Sequence, residues 1–133
     1  MIHIENRVWN LLKDAHSANT IKIFFYIALN QPDEGIYGYR TTKIQLAVDL
    51  NLKPAMIFRS LKFLKDNLLI QELKLAEDFD FMANPYLVMN NSDKKERIDE
   101  WARRQHLDSA REHRLRKERR LREARKAKKV DSN

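Results

Sequence analysis

The sequence predicts a mainly α-helical domain with a small β-hairpin, followed by a long basic C-terminal helix. Three observations predict it. Apolar residues recur at three- and four-residue intervals through most of the first seventy residues. Two short runs after them alternate loosely around a polar turn. From Asp93 to Val130 there is neither Gly nor Pro, and Arg, Lys, Glu, Ala and Leu dominate.

Taken in order, Ile4, Val8, Leu11, Leu12 and Ala15 stand at helical spacing, so an amphipathic helix is expected over residues 2–15. Ser17 or Asn19 then caps a second helix running to about Asn30. With Ile21, Phe24, Phe25, Ile27, Ala28 and Leu29 it is apolar nearly all round and belongs at the centre of the core. Residues 31–38 hold Pro32, Gly35 and Gly38 and read as a turn, with a short strand from Tyr37 to Arg40 behind it. Thr42 and Gln45 fit a capping box that opens a helix from Lys43 to Asp49, burying Ile44, Ala47 and Leu50. Asn51 suits the left-handed residue that ends it. Pro54 suits the first position of the next helix, whose buried stripe is Ile57, Leu61, Leu64 and Leu68, with Asn67 at its close.

Residues 70–75 and 79–82 then pair as a hairpin about Ala76-Glu77-Asp78. Asn84-Pro85 ends the second strand, and Tyr86 to Met89 form a short apolar return. Asn90-Asn91-Ser92 reads as a linker or helix cap, which sets the expected boundary between a domain at 1–91 and a basic tail at 92–133. Within that tail Ile98, Trp101 and Ala102 form a local apolar patch, so Trp101 is expected to anchor the helix. The order helix, helix, strand, helix, helix, hairpin is that of a winged helix-turn-helix.

Charge is unevenly divided. Residues 1–92 carry 10 Lys/Arg and 10 Asp/Glu, whereas residues 93–133 carry 16 and 9, which accounts for the whole net charge of +7. A positive potential confined to one element points to a polyanionic partner, most commonly nucleic acid. Without cysteine there is neither a thiolate metal site nor a cysteine nucleophile. His3, His16, His106 and His113 are scattered, with no metal-ligating pair at helical spacing, so no metal and no cofactor are expected. Two glycines cannot build a phosphate loop. The composition therefore reads as a non-enzyme, without a membrane span and intracellular by default.

In such a fold the exposed face of the second helix of the pair enters the DNA major groove. That face offers Lys53, Ala55, Met56, Arg59, Ser60 and Lys62. Arg59 suits guanine O6 and N7, and Ala55 or Met56 a thymine methyl. Thr42 and Lys43 suit phosphates at a helix N-terminus. Phe58 and Phe63 are left open between packing on the first helices and contact with a second copy. The hairpin carries Glu72, Glu77, Asp78 and Asp80, which would repel phosphate. The tail compensates with Arg111, Arg114, Arg116, Lys117, Arg119, Arg120, Arg122, Arg125, Lys126, Lys128 and Lys129 against three acids. A homodimer on two half-sites is expected to pair through the apolar face of residues 2–15.

The stretch Phe81-Met82-Ala83-Asn84-Pro85-Tyr86-Leu87 resembles the aromatic-Met-x-Asn-Pro-Tyr-Leu signature that closes the winged helix of RepL-type plasmid replication proteins of Firmicutes. The preceding helix-turn-helix run, and the Phe24-Phe25-Tyr26-Ile27 helix before it, stand in that family's order over roughly residues 17–90. The resemblance implies plasmid replication initiation or maintenance on double-stranded DNA, with host replication proteins as partners. The acidic hairpin and polybasic tail depart from the family's pattern. Two other readings stay open: a transcriptional repressor of the same fold, and an adaptor whose tail binds RNA or protein.

Overall fold

The structure is a computed structural model that describes residues 3–13, 17–89 and 94–131. The chain divides into two compact units, residues 1–101 and 102–133. In the first, a short strand β1 (His3–Ile4) precedes helices α1 (Asn6–Leu12) and α2 (Ala18–Asn30). Strand β2 (Tyr39–Thr41) leads into helices α3 (Lys43–Leu50) and α4 (Pro54–Asp66). Strands β3 (Ile70–Lys74), β4 (Phe79–Ala83) and β5 (Val88–Met89) follow, and then helix α5 (Lys94–Asp131). No described helix is long and apolar enough to cross a membrane.

Helix α2 is the centre of the core, as its composition demands. Ile23, Phe24, Ile27 and Ala28 are fully buried, and Ser17 caps the helix by accepting from the Asn19 N–H at 3.1 Å. Ile57, Leu61 and Leu64 of α4 and Phe81 of β4 join the same cluster. Each such side chain contributes about 1.5–3 kcal/mol by leaving water. Ala47 is buried in that cluster with Leu46 and Leu50, the other inward residues of α3.

Strand β4 lies between its two neighbours, in the order β2-β4-β3, all antiparallel. The hairpin expected at residues 70–82 is therefore joined by the strand expected before α3. Gly38 makes that junction possible, because a Cβ there would collide with the Phe81 carbonyl oxygen and the Asp80 carboxylate. The Asp80 carboxylate instead accepts from the Gly38 N–H at 3.0 Å.

Several expectations fail locally, each for a physical reason. Residues 2–15 are not one helix: Ile4 pairs with Val88 in a second, two-stranded sheet, and among the described residues of this span only Asn6–Leu12 are helical. Val8 and Leu12 complete the core, so most of the face expected to pair two copies is already used; Ala15 lies outside the described residues. Ile44 is 71% exposed, because α3 turns Leu46 inward instead. Leu68 is 55% exposed and Leu69 takes its place in the core. The helix has ended by then, and Leu68 adopts a left-handed φ of 56°, which breaks the helical phase of the stripe. The capping box is half formed: the Thr42 hydroxyl accepts from the Gln45 N–H, but the Gln45 side chain donates to Asp49.

The start of α5 belongs to the first unit. Trp101 is buried, and its carbonyl accepts from the Gln71 amide of β3 at 2.8 Å. Ile98 is only half-buried and Ala102 is exposed, so the expected apolar patch is reduced to the tryptophan. Arg97 and Glu100 are buried beside it. The Arg97 guanidinium donates to the carbonyls of Pro32 and Gly35, pinning the turn between α2 and β2. The expected linker at residues 90–92 lies outside the described residues.

Candidate nucleic-acid interface

Helix α3, a tight turn and helix α4 form the candidate interface. Asn51 (φ 53°) ends α3, and the Leu52 N–H reaches back to the Ala47 carbonyl at 2.9 Å. That six-to-one bond is a Schellman stop, and it aims the chain into α4. Pro54 then begins α4, and Lys53 before it makes no side-chain cap.

On the outward side of α4, Lys53, Ala55 and Arg59 are exposed and Met56 is half-buried. With Asn19 and Asn51 these four residues line a groove between the start of α2 and the first turns of α4. A second groove, lined by Ser17, Thr20, Met56, Arg59, Ser60 and Phe63, adjoins it. Arg59 and Met56 border both. Neither Lys53 nor Arg59 has an ion-pair partner among the described residues. Lys62 is held by Asp66 at 3.2 Å, a solvent-exposed pair one helical turn apart and worth only a few tenths of a kcal/mol.

Three expected contacts are engaged elsewhere. Ser60 is 2% exposed, and its hydroxyl shares a 2.9 Å hydrogen bond with the Thr20 hydroxyl of α2. Its small side chain lets the two helices approach, and it is a packing residue. Lys43 turns inward. Its ammonium lies 5.2 Å from the Phe58 ring centroid, 4.8 Å from that of Phe79 and 3.1 Å from Glu72 Oε1. Thr42 has its hydroxyl engaged as the α3 cap. Phe58, 51% exposed, is the ring that roofs Lys43, whereas Phe63 packs on the core.

The acids of the hairpin are largely compensated within the domain. Glu72 Oε2 accepts from Lys65 at 3.2 Å, while its Oε1 is held by Lys43 through charge without an aligned hydrogen bond. Asp78 pairs with Arg40 at 2.8 Å, and that bond holds the Arg40 guanidinium pKa above its ordinary value. Asp80 is buried against Gly38. Only Glu77 faces solvent as expected from the sequence. Sequence reasoning missed Arg40 and Lys65, because nothing local ties them to acids more than five residues away.

The hairpin β3–β4 follows the helix pair directly and is completed by β2. The domain is a winged helix. Its wing runs from Ile70 to Ala83, and its second helix, α4, presents Lys53 and Arg59 outward. In the second unit α5 continues to Asp131, and every described side chain from Gln105 to Lys129 is exposed. At about 100° per residue its 11 cations beyond Ala110 fall on all sides of the helix.

No family model matches the chain, and neither does any curated protein. Among solved structures it is similar to a GAS PerR-Zn-Zn structure, with a TM-score of 0.45 and 20% identity over 63% of this chain and 60% of that one. A second PerR structure, from work on peroxide sensing and gene regulation by PerR from Streptococcus pyogenes, gives a TM-score of 0.46 and 20% identity over 63% and 64%. Lactococcus lactis ZitR, as a C30AH42A mutant, gives 0.38 and 14% identity over 82% and 75%. The chain thus spans less than two thirds of the PerR structures it matches. The winged helix itself follows from the element order and the sheet register.

Proposed function

We propose that the chain binds double-stranded DNA selectively, with α4 reading the major groove and the basic tail attracting phosphates. The observation that carries this reading is the outward face of α4, where Lys53 and Arg59 stand exposed and unpaired beside a groove. A free guanidinium on a recognition helix can bond guanine O6 and N7 together, a contact worth about 1–3 kcal/mol of discrimination. The tail contributes affinity without sequence, through release of counterions from phosphates. Two copies on paired half-sites would double the readout.

Selection of bound duplexes from a random pool tests the reading. Recovery of one conserved motif of at least four base pairs supports it, and an unenriched pool sinks it. The finer reading, replication initiation or maintenance of a plasmid, rests on the stretch from Phe81 to Leu87. Asn84 in that stretch ties the turn together: its amide donates to the Leu68 carbonyl and its oxygen accepts from the Tyr86 N–H. That role favours the Asn84-Pro85-Tyr86 stretch as a closure of the wing. Transcriptional repression is the competing assignment. A reporter silenced through the selected motif favours repression, and chain-dependent copying of a plasmid bearing it favours replication.

A further inference from the structure

We propose that Glu72 sets the specificity of this domain by occupying two lysines that would otherwise hold backbone phosphate. The inference rests on the DNA-binding reading above. Lys43 opens α3, and Lys65 lies in the last turn of α4, on the two helices of the DNA-reading motif. Both ammonium groups converge on the one Glu72 carboxylate of β3, at 3.1 and 3.2 Å. That geometry resembles what a phosphate would offer: two anionic oxygens shared between two cations.

Burial makes the arrangement selective rather than merely stabilising. Glu72 is 14% exposed and Lys43 23%, so these charges have lost much of their hydration. Glu72 Oε1 is fully buried without an aligned donor. What the carboxylate achieves is cancellation. With Lys43 and Lys65 neutralised by Glu72, and Arg40 by Asp78, the unpaired cations that flank the groove are Lys53 and Arg59. Sequence-independent attraction by the folded domain is thereby kept low, while contacts that read bases are left intact. Specificity is a difference of affinities, and removing cations that hold any phosphate enlarges it.

The test compares Glu72→Gln with the unaltered chain on a selected duplex and on a random duplex, from 50 to 200 mM salt. The amide keeps the shape and still accepts from lysine, but it no longer neutralises two ammonium groups. The log–log salt slope should steepen by about 1.8 for two added phosphate contacts, an extra loss of about twelvefold across that salt range. The ratio of selected to random affinity at low salt should fall. In the unaltered background, Lys43→Met and Lys65→Met should leave the slope unchanged, which tests the idea even where Glu72→Gln lowers stability. An unchanged slope in a folded Glu72→Gln protein, or a flattened slope in either lysine variant, overturns the assignment while DNA binding stands. Absence of any duplex binding by the unaltered chain overturns the DNA-binding reading and this inference with it.

Discussion

Arg59 borders both grooves beside α4 and has no carboxylate within reach among the described residues. Arg59→Ala should therefore cost about 1–3 kcal/mol on the selected duplex and relax preference at one base position. Competition binding that shows equal losses on selected and random duplexes would reduce Arg59 to a phosphate contact. Its neighbours show what a sequence conveys at this scale. Arg59 and Lys53 were legible as exposed because they lie off the stripe of Ile57, Leu61 and Leu64. Ser60 was not, since a serine beside that stripe becomes buried only when another helix supplies a hydroxyl, and Thr20 is forty residues away. Tyr26 gives a further prediction. Its pKa is pushed up to about 12 by the Tyr39 hydroxyl first, then by burial and by Asp49. Because the folded value exceeds the ordinary value of 10.0, its protonated form favours folding below pH 10, and that preference is lost as pH rises toward 12. Absorbance near 295 nm should show a late tyrosine ionisation, and Tyr26→Phe should abolish that step.

Helices α3 and α4 end in the same way, and only one of the two endings was legible in the sequence. Asn51 is a residue that tolerates left-handed backbone, so the end of α3 was legible. At the end of α4 the same pattern recurs: the Leu69 N–H bonds the Leu64 carbonyl at 2.9 Å and the Leu68 N–H that of Lys65 at 3.1 Å. Leu68 occupies the left-handed position with a largely exposed side chain. The sequence stripe points to burial, but the local turn wins because Leu69 fills the core site and Asn84 holds the Leu68 carbonyl at 2.8 Å. A left-handed leucine costs about 1–2 kcal/mol relative to glycine, part of which is offset by the greater freedom of glycine when unfolded. Leu68→Gly should thus stabilise the domain by about 1 kcal/mol and raise its melting temperature by several degrees. A lowered melting temperature would mean that the exposed leucine makes an apolar contact that outweighs the strain.

For the chain as a whole, the partition of charge is the most legible feature and the least dependent on fold. Residues 1–92 balance to zero, and the structure adds that several of their cations are already paired with the chain's own carboxylates. The segment from Ser109 to Val130 has a net charge of +8. Truncation after Gln105 should therefore flatten a salt slope of roughly −3.6, expected for about four phosphates, and leave the ranking of duplex sequences intact. Slopes that agree within error would move the tail to an RNA or protein partner. Less legible was anything that joins distant parts of the chain: the β1–β5 pair, the Arg97 clamp on residues 32–35, and the Lys43 cluster. Each depends on residues more than a dozen positions apart, where periodicity carries no information.

The β1–β5 pair has a kinetic consequence. His3 and Ile4 meet Met89 and Val88, and the Glu5 N–H donates to the Leu87 carbonyl at 2.8 Å. Joining these segments in an unfolded chain closes a loop of roughly 80 residues, about 2–3 kcal/mol costlier in entropy than the hairpin turn before β4. The pair has little chance to form until the helices and the wing have condensed around α2. It should act as a latch that closes after the folding barrier and opens before it. Ile4→Ala should then accelerate unfolding while leaving the refolding rate almost unchanged. A refolding arm of the chevron that slows as much as the unfolding arm quickens would place the latch inside the folding nucleus instead.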